Sequence, residues 1–218
     1  MGSRGSSSGV QPKSFNGARD ANRFFGSTSG KWRQWWNGLE QDEQSAIMAY
    51  TGSAYGGINR FLRHGGASSP TLQRRINGIS DALNKSELRK DIVVYRGTTK
   101  SFFAGKDHSL EELQEMGKYK ISFVDKGFSS AAVTEGRAWK HKGYILEIHV
   151  PKGKGRGSWV DPISQNRGEQ EFLLQKNMMY TITGARMSDD GHTPIVSVKV
   201  NTKWNGGQNA VKKVTKVG

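Results

Sequence analysis

The period of the apolar residues changes once along this chain, and that change limits the folds open to it. Between residues 31 and 90 apolar side chains recur every three or four positions. Trp32, Trp35, Trp36 and Leu39 form one helical face. Ala46, Ile47 and Tyr50 form a stripe on the next segment, which Thr51-Gly52-Ser53 breaks. Ser53 is placed to cap a second helix through Ile58, Phe61 and Leu62, ending at His64-Gly65-Gly66. Ser69-Pro70 opens a third, with Leu72, Ile76, Ile79 and Leu83 at helical spacing. From Asp91 the runs become short and β-branched. Ile92 to Arg96, Lys118 to Phe123, Tyr144 to Val150, Ser158 to Ile163, Glu171 to Gln175, Met179 to Arg186 and Ile195 to Trp204 read as strands. One helix, capped by Ser109 and running to Met116, interrupts them, and Thr134 to His141 is a short helix at best. A helical half followed by many short strands predicts an α+β domain with a mixed or antiparallel β core.

The 218 residues suffice for one domain of fair size, or one domain with an extension. Three parts are expected: a flexible Gly/Ser-rich segment over residues 1–30, a domain over 31–204 and a basic tail over 205–218. Within the domain, 31–90 is the helical part and 91–204 the β-rich part. No apolar run is long enough to span a membrane. Met1 to Gly9 lacks the apolar core of a signal peptide. With no cysteine, disulfides, thiolate nucleophiles and cysteine metal sites are excluded. The five histidines lie far apart in the chain, so no metal cluster is expected. The net charge of +14 favours nucleic acid, anionic surfaces or polyanionic small molecules as contacts.

Several short patterns carry candidate chemistry. Glu169 and Glu171 sit two apart, just before the apolar residues of a strand. On a strand they share one face, with Phe172 and Leu174 on the other. Like charges held this close raise the pKa of one partner, although an exposed strand end carrying two solvated carboxylates has the same pattern. Arg96 leaves the end of an apolar strand beside Gly97, a combination that suits a phosphate. Ser129 and Ser130 follow Gly127-Phe128 and can orient a carboxylate, or form a polar turn. Tyr50, Tyr55 and Asn59 can cover a planar ring or a ribose, or simply pack.

Taken in order, these patterns run Tyr-Thr-Gly-Ser-x-Tyr-x-x-Ile-Asn, strand-Arg-Gly, Gly-Phe-Ser-Ser, Ile-Leu-x-Ile-x-Val-Pro-x-Gly and Glu-x-Glu-Phe-Leu-Leu. The set resembles the arginine-directed mono-ADP-ribosyltransferases of bacterial toxins, effectors and phages, from about Trp32 to Val200. The resemblance implies a mixed β core of two packed sheets preceded by a helical segment. It implies cleavage of NAD, as substrate and without a metal, with transfer of ADP-ribose to an arginine of a target protein. Arg96 is then the arginine on the NAD phosphates. Ser129 is the first residue of the family's Ser-Thr-Ser motif and positions the catalytic Glu171; the third hydroxyl is replaced by Ala131. Glu169 is the residue needed for transfer to arginine, where relatives that modify asparagine have Gln. Tyr50, Tyr55 and Asn59 line the NAD site, with Gly97 and Ser130 as its neighbours. A monomer acting in the cytoplasm of a target or host cell is expected. Two alternatives stay open: a pure NAD glycohydrolase, and a basic transferase that binds or modifies nucleic acid.

Overall fold

Residues 11–26, 30–138 and 140–202 are described by the computed structural model. In chain order, the helices α1 (Ala18–Phe25), α2 (Lys31–Asn37), α3 (Gln41–Ala49), α4 (Tyr55–His64) and α5 (Pro70–Lys85) come first. After them run β1 (Glu87–Leu88), β2 (Ile92–Thr98), α6 (Leu110–Lys118), β3 (Ser122–Asp125), β4 (Ser129–Ala132) and β5 (Tyr144–Val150). The chain ends with β6 (Gly153–Lys154), β7 (Gly157–Trp159), β8 (Glu171–Leu174), β9 (Met178–Met187) and β10 (Pro194–Val200).

Local signals set several of these boundaries. Pro70 occupies the first turn of α5, and Ser69 Oγ accepts from Leu72 N at 3.1 Å. Ser109 and Glu112 form a reciprocal capping box on α6. Ser53 makes no cap. Residues 50–54 instead continue as a single wide π turn that joins α3 to α4, with Gly52 alone outside helical geometry. The expected break is thus a kink at one residue.

β1 and β6 pair with each other, and the other eight strands form one sheet in the order β3-β9-β10-β5-β2-β4-β8-β7, with β10 and β5 parallel. Between β2 and β4 the ladder shrinks to one pair, Tyr95 opposite Ala132. The sheet therefore behaves as two, β3-β9-β10-β5-β2 and β4-β8-β7. Their side chains meet in one core that holds Ile92 and Val94, Leu146 and Ile148, and Phe172 and Leu174. The mixed β core of two packed sheets is therefore present, joined along one edge. A second core lies under the helices, where Ile47, Ile58, Ile76, Ile79 and Leu83 meet Phe128 and Leu173. The alternation of β8 thus sends Phe172 and Leu174 between the sheets, and Leu173 towards the helices.

The N-terminal expectation needs correction. Residues 11–26 are not loosely attached. Phe15 and Ala21 are buried, and Phe25 stacks on Trp159 with ring centroids 5.6 Å apart. Lys13 exchanges backbone hydrogen bonds with the chain around β2, accepting from Val93 N and donating to Asp91 O. A polar composition hides three phenylalanines, Phe15, Phe24 and Phe25, that pack on the inter-sheet core. Burying one such ring contributes roughly 1.5–3 kcal/mol. The basic tail expected over 205–218 lies outside the described residues.

One close approach fixes α6 on the sheet. A Cβ added at Gly117 would stand 2.8 Å from the Cα and N of Gly184 in β9. One added at Gly184 meets nothing within 4 Å. Gly117→Ala should lower stability by about 1–3 kcal/mol, because backbone cannot move aside as a side chain can. Gly184→Ala should leave it nearly unchanged. Urea midpoints of the two variants decide the matter; equal midpoints would contradict the packing described.

Candidate active site

A cleft of about 730 Å³ opens between α4, the ends of β2, β4 and β8, and the loop that precedes β8. Tyr50, Tyr55 and Asn59 line it from the helical side, and Arg96 and Gly97 from β2. Ser130, Glu169 and Glu171 complete the list of expected residues found there. Ser129 is the one that does not line it.

The contact with Glu171 expected of Ser129 is made by its neighbour. Ser130 Oγ donates to Glu171 Oε1 at 2.6 Å. Ser129 Oγ donates instead to Asp125 Oδ2 at 2.8 Å and is only 1 % exposed. The cause is strand parity. Phe128 and Ser130 face the helices, whereas Ala131 faces the inter-sheet core, and Ser129 shares the side of Ala131. Glu171, opening β8, shares the helix-facing side with Leu173. The hydrogen bond to Glu171 expected of Ser129 therefore belongs to Ser130.

The glutamates are also less alike than an E-x-E strand implies. Glu171 is 5 % exposed, whereas Glu169 is exposed and precedes the strand. Between them Gln170 takes a left-handed backbone, φ 58°, which bends the chain. Asp161 makes that bend: its buried carboxylate accepts from Gly168 N at 3.2 Å and Gln170 N at 2.7 Å. The pair thus does not share a strand face. Burial pushes the Glu171 carboxyl up to about 7, and the charges of Glu169 and Asp161 add to it. Ser130 and Arg96 act in the opposite direction. The like-charge effect expected of the pair is present, but second to desolvation.

Arg96 donates from Nη1 to the Ser130 carbonyl at 2.7 Å. It bridges the two sheets next to their one-pair junction, with one arm of the guanidinium fork committed to backbone. Asn59 Nδ2 donates to the Tyr50 hydroxyl at 2.9 Å, and that hydroxyl donates to Phe128 O at 3.2 Å. Tyr50 is buried, and burial raises its hydroxyl to about 12, so it stays a neutral donor. Tyr55 is 51 % exposed and offers its ring to the cleft.

The sequence reading missed the rest of the basic lining: Arg60, Arg63, His64, Arg137 and Lys142. Helical spacing was the available signal for Arg63, one turn beyond Asn59 on α4. Arg137 and Lys142 end single turns of 3-10 helix, too short to show a period. The Lys142 amine is held below its usual range, first by burial and then by the positive charges of Arg96 and Arg63. Among the described residues no three His, Asp or Glu side chains gather to hold a metal ion. No helix among them is long and apolar enough to cross a membrane.

A buried carboxylate held by a serine, in a cleft rimmed with cations, fits a ligand that carries both phosphates and a sugar. Comparison with known proteins agrees. The family model described as ADP-ribosyltransferase exoenzyme matches residues 25–203. NAD(+)--arginine ADP-ribosyltransferase EFV of Enterococcus faecalis is 27% identical over 152 residues, covering 68% of this chain and 30% of that protein. Mono-ADP-ribosyltransferase C3 of Clostridium botulinum D phage is 27% identical over 177 residues, covering 73% of this chain and 69% of the other. The chain thus spans less than a third of the first relative and about two thirds of the second. Plx2a, an ADP-ribosyltransferase toxin from Paenibacillus larvae, superposes with a TM-score of 0.72 at 26% identity, over 84% of this chain and 96% of that one. With most of its length inside the family model, the chain belongs to the ADP-ribosyltransferase exoenzyme family.

Proposed function

We propose that this protein cleaves NAD at the nicotinamide–ribose bond and transfers ADP-ribose to an arginine side chain of a target protein. The observation that carries the reading is the buried Glu171 carboxylate held by Ser130 at 2.6 Å inside a cation-rimmed cleft. A cleft of about 730 Å³ lies within the range that encloses a dinucleotide-sized ligand. Arg96, Arg60, Arg137 and Lys142 line it and can neutralise a pyrophosphate.

The reaction breaks a glycosidic bond to a cationic ring, so the departing nicotinamide is neutral and positive charge gathers on the ribose. Ionised Glu171 accepts a hydrogen bond from the ribose 2′-hydroxyl and stabilises that charge. Ser130 keeps the carboxylate aimed. A cationic donor in the cleft favours the ionised form of Glu171, opposing the burial that raises its carboxyl. The acceptor guanidinium is a poor nucleophile because it is protonated at any ordinary pH. Glu169, exposed at the mouth and only two residues away, orients it and takes the proton released as the new C–N bond forms. The name of the EFV relative, which specifies arginine, supports this choice of acceptor.

We further assign the acceptor to the cytoplasm of a target or host cell, and the active species to a monomer. Labelled NAD incubated with lysate tests the acceptor. A labelled protein band is expected; labelled RNA would make nucleic acid the acceptor, and free ADP-ribose alone would make the protein a glycohydrolase.

Three variants test the assignments. Glu171→Gln should abolish nicotinamide release and transfer together. Glu169→Gln should abolish transfer and leave much of the hydrolysis; equal loss of hydrolysis in both would sink the division of labour. Ser130→Ala should lower kcat for hydrolysis by about tenfold to a hundredfold, the usual range for loss of an orienting hydrogen bond.

Stability against pH gives an independent check. The Glu171 carboxyl is raised from 4.5 to about 7 on folding, so between these values the folded chain binds more protons than the unfolded one. Stability from this group therefore falls as pH rises through that window, and the penalty is complete above it. Glu171→Gln removes the penalty. It should stabilise the protein at pH 8 by on the order of 1 kcal/mol or more, with the gain vanishing near pH 4. Thermal midpoints of the two proteins at both pH values read this directly; a gain independent of pH would contradict the raised carboxyl.

A further inference from the structure

Asp125 closes β3 and is nearly buried, yet it does not line the cleft. Its carboxylate accepts from Arg63, Gly127 and Ser129. Arg63 Nε donates to Oδ1 at 2.8 Å and Arg63 Nη2 to Oδ2 at 2.9 Å, a two-point fork across 62 residues of sequence. Gly127 N donates to Oδ1 at 2.9 Å, and Ser129 Oγ to Oδ2 at 2.8 Å. Burial opposes the charge on Asp125, but the Arg63 guanidinium outweighs it and holds the carboxyl below its usual range.

The fork reaches both walls of the cleft. Arg63 lies on α4, one turn from Asn59. Asn59 Oδ1 accepts from Phe128 N at 2.9 Å, and Arg63 Nη2 also reaches Phe128 O at 3.4 Å. Gly127 sits beneath them: a Cβ there would stand 2.8 Å from Asn59 Oδ1 and 2.9 Å from Arg63 Cζ. Asp125, Gly127 and Phe128 are therefore held against α4, and Ser129 is tied to it through Asp125. Two residues after Phe128 comes Ser130, whose hydroxyl meets Glu171.

We propose that Arg63 and Asp125 form a positioning clamp that fixes α4 against the entry of β4 and so aims Ser130 at Glu171. This role rests on the reaction proposed above, in which Glu171 stabilises the ribose cation. The pair does its work without either side chain taking part in bond making. Asp125 has no route to the donor except through its partners, because it lies behind the lining of the cleft. Arg63 lines the cleft and could touch the donor directly, so the two residues must be tested together.

The experiment is a double-mutant cycle on the full chain, with nicotinamide release from NAD as the readout. Asp125→Asn keeps the shape and removes the charge. Arg63→Lys keeps the charge and removes the fork. Each single variant should lower kcat about tenfold or more, as a misplaced catalytic group does. The double variant should lose little beyond the worse single one, within about twofold, because both act through one contact. Amide exchange of Gly127 to Ser130 should quicken in Asp125→Asn. An unchanged kcat in folded Asp125→Asn overturns the clamp, as does a double variant in which the two losses multiply. If Asp125→Asn does not fold, Ser129→Ala replaces it in the same cycle, since it deletes one bond to the carboxylate and adds no charge. Release by the wild type reports on the reaction, and the ratio of variant to wild type reports on the clamp, so the two fail separately.

Discussion

The hydrogen bond from Ser130 to Glu171 ties the neighbouring strands β4 and β8 together on the side that faces the cleft. Its geometry depends on strand parity in β4 and β8, because a slip of one residue would turn both side chains into the inter-sheet core. Parity depends in turn on the residues that anchor each strand. Phe172 and Leu174 lock β8 from one side and Leu173 from the other. Phe128 plays the same part before β4. The carboxylate is thus placed by hydrophobic burial and finished by a single hydroxyl.

Electrostatics around that bond are deliberately unbalanced. A carboxylate taken out of water is costly, and here its neighbours Glu169 and Asp161 add to the cost. Cations line the remaining wall, and Lys142 is itself held below its usual range by burial, Arg96 and Arg63. One wall thus concentrates negative charge and the other positive charge, each held against the pull of burial. Such an arrangement trades stability of the free protein for affinity where charge develops.

Much of this was legible in the amino-acid sequence, and the exceptions have physical reasons. Tyr144 to Val150 is a short apolar run that reads as a strand and appears as β5 with those bounds. Helical spacing located α5, and its Ser69-Pro70 start, because local signals alone decide them. Of the candidate residues, Tyr50, Tyr55, Asn59, Arg96, Gly97, Ser130, Glu169 and Glu171 line one cleft, and Ser129 does not. The choice between Ser129 and Ser130 failed because adjacent identical residues differ only in register, which is a property of the partner strand. Asp161 escaped notice because its contacts are to backbone N–H groups, which every residue but proline carries. Arg63 and Asp125 escaped because 62 residues separate them. The N-terminal helix was masked by its polar surroundings, where three phenylalanines outweigh the composition.

The lone pairing of Tyr95 with Ala132 has a mechanical meaning. A sheet resists shear through its ladder, and here the ladder thins to one rung. On one side of this seam stands β2 with Arg96; on the other stand β4 and β8 with the serine and the carboxylate. Beside the rung, the link from Arg96 to the Ser130 carbonyl is the polar tie across the gap. The two parts of the sheet thus meet, beside the cleft, through one backbone pair and one guanidinium.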